Sequence, residues 1–238
     1  MKFDFKHFIL IVVLSVGCLP YYYPALFNRR SAPILLPKRS DQRTHHNGFF
    51  SISNTDFLIH TKETNVAAAL GYSLSKYWKW LGFDFQSELV AGSYDVVGIQ
   101  EFDGWKYYGG LSATIFSGFR FGNDRFGLAI GPQCGSILEF GQYSDFRIQA
   151  KSRGLIDTNG KDYFFHFHGV LNLQYTTKNN TCFFLQGKGG IYEIASVIFG
   201  TSFQRNSIWL SVMPPIDLTG VTCMIGYSHE LTINRIRN

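Results

Sequence analysis

The chain has 238 residues and a net charge of +5, with 16% charged against 17% aromatic side chains, 24 Gly, 23 Phe and 13 Tyr. The charged share lies well below the ~25% of ordinary soluble proteins, and no basic–aromatic stripe marks a nucleic-acid surface. The length suits one domain, and the aromatic-rich, Gly-rich, charge-poor composition points to a β-protein and leaves a membrane one open.

The first informative stretch is Phe8–Cys18, FILIVVLSVGC, preceded by Lys2 and Lys6. It is too short for a helix across a bilayer of roughly 30 Å, which needs about 20 residues. It fits the apolar core of a secretory signal. Its end, Leu14-Ser15-Val16-Gly17-Cys18, resembles the lipobox of bacterial lipoproteins, with Ser15 where that motif most often has Leu. The resemblance implies a signal peptide over 1–17 and a lipid on Cys18. An ordinary signal cut elsewhere, with Cys18 discarded, is the alternative.

Residues 18–47 form the next unit. Four of the chain's seven prolines lie here, Pro20, Pro24, Pro33 and Pro37, a density that excludes helix and sheet interiors. The segment reads as a semi-extended tether, with Ile34–Leu36 tucked against a barrel mouth. Its basic residues Arg29, Arg30, Lys38, Arg39 and Arg43, opposed by Asp41 alone, read as solvated linker charge, with contact to anionic headgroups or envelope polymers the alternative.

From 48 to 238 the pattern is strand after strand, because apolar and polar residues alternate with period two. Over 81–91, Leu81, Phe83, Phe85 and Leu89 oppose Asp84, Gln86 and Glu88. Over 107–121, Leu111, Ala113, Ile115, Phe119 and Phe121 oppose Gly110, Ser112, Thr114, Gly118 and Arg120. Phe126, Leu128, Ile130, Leu138 and Phe140 face away from Gly127, Ala129, Gln133 and Glu139. Tyr163, Phe165, Phe167, Leu171, Leu173 and Tyr175 face away from His166, His168, Asn172 and Gln174.

Strands are expected at 48–60, 65–77, 80–93, 105–121, 124–140, 163–177, 181–195, 196–204, 206–214 and 219–232, with 142–162 a polar connection. Turn signals such as Gly122-Asn123-Asp124 and Lys178-Asn179-Asn180 separate them. Short connections give an all-β, antiparallel meander β-barrel of 8–10 strands.

Alternation fits a transmembrane barrel, apolar face to lipid, or a lipocalin-like soluble barrel, apolar face inside around a hydrophobic ligand. Three features favour the first. The polar faces carry Gly, Ser, Thr, Asn and Gln with single charges, and the strands are long enough to cross. Aromatics such as Tyr77, Trp78, Trp80, Trp105, Tyr107 and Tyr108 also gather at strand ends. Asp84, Glu88, Arg120, Glu139, Lys188 and Glu230 would then point into the lumen as a polar network.

In layout the chain resembles small outer-membrane β-barrel lipoproteins of the kind common in Bacteroidota. The resemblance rests on Gly17-Cys18, the Tyr21–Pro24 run, the Pro33–Lys38 segment and the strands from Asn65 to Tyr77 and Lys106 to Phe121. It departs from many such barrels in ending Arg235-Ile236-Arg237-Asn238 and not on an aromatic. It implies a lipid-anchored place in the bacterial outer membrane, membrane lipid as partner, and no particular activity.

Catalytic and metal motifs are weak. Tyr227-Ser228-His229-Glu230 carries triad residue types, and the chain loosely resembles, in layout, barrel enzymes that deacylate lipid A. Consecutive strand residues face opposite sides, however, so Ser228 and His229 cannot meet within one strand. His166 and His168 share a face, but no third ligand is nominated. Cys134, Cys182 and Cys223 have no zinc or CxxC spacing and read as small strand hydrophobes, one pair left open to bridging. No catalytic residue, metal or cofactor is expected.

Overall fold

The structure, a computed structural model, describes residues 25–28, 32–37, 41, 43–57, 63–158, 160–190, 193–213 and 220–232. The signal stretch and Cys18 lie outside them.

Ten strands follow in order: β1 (Thr44–Phe57), β2 (Thr64–Tyr77), β3 (Leu81–Val96), β4 (Gly104–Gly122), β5 (Phe126–Phe140), β6 (Tyr163–Thr176), β7 (Thr181–Gly190), β8 (Glu193–Phe203), β9 (Asn206–Met213) and β10 (Gly220–Glu230). Each pairs antiparallel with its neighbours in sequence, and β1 pairs with β10 to close the barrel. Closure leaves no strand edge unpaired. The fold is therefore an all-β, ten-stranded antiparallel meander barrel. β1 starts at Thr44, ahead of the expected 48, and β7 ends at Gly190 with β8 opening at Glu193, before the expected boundary at 195/196.

The alternation sorts side chains as the patterning dictates, with the bulky apolar set outside. On β3, Leu89 is 55% exposed while Asp84 is 1% exposed. Register lines Leu70, Leu89, Leu111 and Leu138 up in one outward row across β2 to β5. Outward aromatics lie towards both ends: Trp78, Trp80, Phe126, Tyr175 and Phe203 at one, Trp105, Tyr107, Phe140 and Tyr163 at the other. The lipocalin alternative, with the bulky apolar faces lining a cavity, is contradicted by this placement.

The two ends differ. One carries the short turns at 78–80, 123–125, 177–180 and 204–205, together with the start of β1 and the end of β10. The other carries longer connections, including 97–103 and 141–162. These are the short-turn end and the loop end.

The stretch expected as a polar connection at 142–162 contains a helix, α1 (Gln142–Ser152). Its buried residues Tyr143, Phe146, Arg147 and Ala150 recur at helical spacing. The stripe includes an arginine, so an apolar count alone passes over it. α1 packs on the loop end through Tyr143, whose ring stacks on Tyr94 at 4.4 Å between centroids, and Phe146, which meets Phe102 at 5.3 Å.

Candidate functional site

An eight-stranded barrel is just filled by its own side chains, and the interior widens with strand number. Here ten strands enclose a further occupant, the chain's own residues 25–28 and 32–37.

The local sequence explains its shape. Pro33 and Pro37 fix their own φ and bias Ala32 and Leu36 towards extended backbone. An extended chain with no neighbouring strand leaves N–H and C=O groups that burial makes costly unless they are paired. Inward side chains supply the partners. Ile34 N–H donates to Gln186 Oε1 at 2.9 Å, and Asn172 Nδ2 donates to Ile34 O at 2.5 Å and to Gln186 Oε1 at 3.0 Å. Leu36 N–H donates to Gln174 Oε1 at 3.1 Å, while Gln174 Nε2 donates to Leu36 O at 2.6 Å. Lys188 Nζ donates to Ala32 O at 3.4 Å, and Arg120 donates to Pro37 O.

Side chains of the segment pack to both sides. Ile34 and Leu36 join Tyr77, Phe116, Ala129 and Val170, while Ala32 and Leu35 join Phe49, Phe184, Ile198 and Trp209. Ile34 and Leu36 therefore lie inside the barrel, not against its mouth as the sequence reading had it. Nearer the loop end, a 3₁₀ turn at Ala25–Asn28 is held by Asn65 Nδ2 donating to Ala25 O at 3.1 Å and Leu26 N–H donating to Glu139 Oε2 at 3.1 Å. A Cβ on Gly110 would sit 2.1 Å from Leu26 Cδ1, so only glycine admits this approach.

The order of contacts sets the path. Ala25 and Leu26 touch Asn65 and Glu139 at the loop end; Leu36 and Pro37 touch Gln174 and Arg120 towards the short-turn end. The two described pieces, 25–28 and 32–37, thus follow one another from the loop end towards the short-turn end, where β1 begins. A polar vestibule of about 360 Å³ lies at that end, lined in part by Asp41, Arg43, His45, Gln174, Asn180 and Glu230. His45 Nδ1 lies 2.9 Å from Glu230 Oε1, and its Nε2 lies 3.6 Å from Asp41. Outside the strands, the Arg43 guanidinium holds the Asp41 carboxyl down at about 2 through side-chain hydrogen bonds, against a smaller opposing push from burial.

The six expected lumen residues occupy different levels. Asp84, Glu88, Arg120, Glu139 and Lys188 are buried, and Glu230 is half-buried at the short-turn end. Arg120, Glu139 and Lys188 hold the segment; Asp84 accepts from Ser75 Oγ at 2.6 Å. Glu139 also pairs with Arg147 of α1 at 2.9 Å, both side chains fully buried. Strand alternation does not single out Asn65, Arg147 or Gln186, and it marks Asn172 and Gln174 only as polar positions on one face. Amides two apart on one inward face, beside a proline-bracketed apolar tripeptide elsewhere in the chain, were the available signal.

Other motifs come apart. Ser228 is buried inside, while His229 is exposed outside with its Nδ1 2.9 Å from Asn206 Oδ1. His166 Nδ1 and His168 Nε2 lie 3.0 Å apart, and among the described residues no group of three or more His, Cys, Asp and Glu could hold a metal. Cys134, Cys182 and Cys223 are free, Cys134 and Cys223 exposed on the outer wall.

No protein-family model matches the chain, and no curated protein does. Solved structures with some likeness include the outer membrane protein OprG from Pseudomonas aeruginosa, at 15% identity over 80% of this chain and 96% of that one, TM-score 0.41. A deletion mutant of the monoaromatic hydrocarbon channel TodX matches at 12% identity over 89% of this chain and 72% of that one, TM-score 0.35. The attachment invasion locus protein Ail of Yersinia pestis, solved with a heparin analogue, matches at 10% identity over 79% and 97%, TM-score 0.29.

Proposed function

We propose that this chain is an outer-membrane β-barrel lipoprotein, anchored through Cys18, with a structural or binding role and no catalysis. One observation carries the membrane reading. The barrel is turned inside out relative to a soluble one, with an outer wall of Leu, Ile and Phe and an inner wall of Ser, Thr, Asn, Gln and charged residues. Water would leave that outer wall unsatisfied in the hydrophobic sense, whereas lipid suits it, and the aromatic ends match interfacial girdles. Lys76 and Lys79 lie over the Trp78 and Trp80 rings, as expected of side chains reaching from an apolar wall to headgroups.

The filled lumen argues against free solute conduction, and the separation of Ser228 from His229 argues against hydrolysis. A binding role would fall to the longer connections at the loop end. The test is membrane fractionation and heat-modifiability of wild type and Cys18→Ala, with labelled palmitate to follow acylation. The reading expects both proteins to need detergent and to shift mobility on heating, with label on the wild type alone. A soluble Cys18→Ala protein would overturn the transmembrane part, and an unlabelled wild type the lipid anchor.

A further inference from the structure

We infer that the lumen is a receptor for an extended polypeptide main chain, filled in cis by Ala32–Pro37 and able to accept the same kind of segment in trans once the covalent link is cut. The recognition falls mostly on atoms common to all peptides. Asn172 and Gln186 together take both polar groups of Ile34, and Gln174 alone takes both of Leu36. Lys188 and Arg120 take the carbonyls of Ala32 and Pro37 at the two ends. This is the chemistry of strand addition, carried out by side-chain amides in place of a sheet edge.

Side-chain selection is confined to apolar pockets, chiefly the one formed by Tyr77, Phe116, Ala129 and Val170 around Ile34 and Leu36. The ligand class is therefore an extended peptide with apolar residues two apart, pre-shaped by proline. In the intact chain the tethered segment competes at an effective concentration in the millimolar range, so a free peptide is excluded. The site becomes open only to a chain that displaces or replaces the tether.

The experiment keeps the full chain. A protease site inserted after Asp41 is cut only after folding, with heat-modifiability confirming an intact barrel and mass spectrometry confirming the cut. The cleaved segment is stripped from the folded barrel in mild urea and separated by gel filtration, its loss confirmed by mass spectrometry, before a fluorescent peptide of residues 31–40 is added. Saturable uptake is expected, with a peptide N-methylated at Ile34 and Leu36 at least about tenfold weaker because two main-chain donors are gone. Cut barrel that takes up no peptide, or takes up both peptides equally, overturns the inference. Amide hydrogen exchange on the uncut chain gives a second reading: Gln186→Leu should speed exchange at Ile34, and Gln174→Leu at Leu36. Unchanged protection at both sites also overturns it.

Discussion

The ring of Phe49 occupies the place where Gly71 would carry a side chain: a Cβ built on Gly71 falls 2.0 Å from Phe49 Cζ. Both residues face inward from neighbouring strands, paired Phe49 with Gly71 in the β1–β2 register. Trp209 covers Gly226 and Tyr77 covers Gly82 in the same way, with the nearest ring atoms 2.2 and 2.4 Å from the built Cβ. Large rings fit inside this barrel because glycine gives up its side-chain volume directly opposite them. Gly71→Ala should displace the Phe49 ring and cost about 1–3 kcal/mol. Urea unfolding in detergent micelles would read this, and pairing the change with Phe49→Leu should recover part of it.

Glu139 and Arg147 form a fully buried ion pair that ties α1 to the end of β5. Each has further partners, Leu26 N–H for Glu139 and Thr158 Oγ1 for Arg147. Removing either charge strands the other without water, which typically costs about 3–5 kcal/mol, whereas replacing both by apolar groups is often neutral or stabilising. Glu139→Gln and Arg147→Met should each sharply lower the unfolding midpoint, and Glu139→Leu with Arg147→Met together should restore most of it. Equal losses in the single and double variants would count against this account of α1.

Much of this architecture is legible in the sequence because a barrel wall separates two media. Asp84, Gln86 and Glu88 interleaved with Phe83, Phe85 and Leu89 can only be a strand with unlike sides. Two elements are not legible, for different reasons. α1 hides because its buried stripe includes Arg147, whose charge is neutralised by a partner on another element. The luminal segment is readable as extended from Pro33 and Pro37, but the residue that grips Leu36 lies 138 positions away. Local patterning fixes conformation; it carries no record of which distant amide will satisfy the backbone.

Asp41 gives a pH signature outside the strands. Its carboxyl is held at about 2, below the ordinary 3.8, chiefly by the side-chain hydrogen bonds from Arg43. A lowered folded value means the stabilisation is complete above the ordinary carboxylate pKa and is lost as pH falls through about 2. Arg43 is largely exposed, so the effect is small and salt-sensitive. Asp41→Asn should differ from wild type by a small constant amount between pH 5 and 8, on the order of 1 kcal/mol or less. Thermal melts should show that gap closing below pH 4, and shrinking in high salt at pH 7.

The outward leucine row offers the sharpest energetic test of what surrounds the barrel. Leu111 sits near the middle of β4, is 50% exposed, and is flanked across the sheet by Leu89 and Leu138. Leu81, equally exposed, opens β3 beside the Trp78–Trp80 turn at the short-turn end. Arginine at the mid-height of a bilayer costs about 2–4 kcal/mol, and near the interface about 0–1. In water both substitutions would be almost free, since each position is already half-solvated in the absence of lipid. Leu111→Arg should therefore destabilise the barrel in lipid vesicles far more than Leu81→Arg does. The contrast should collapse if urea unfolding shows the two variants alike, and the apolar wall would then need a partner other than lipid.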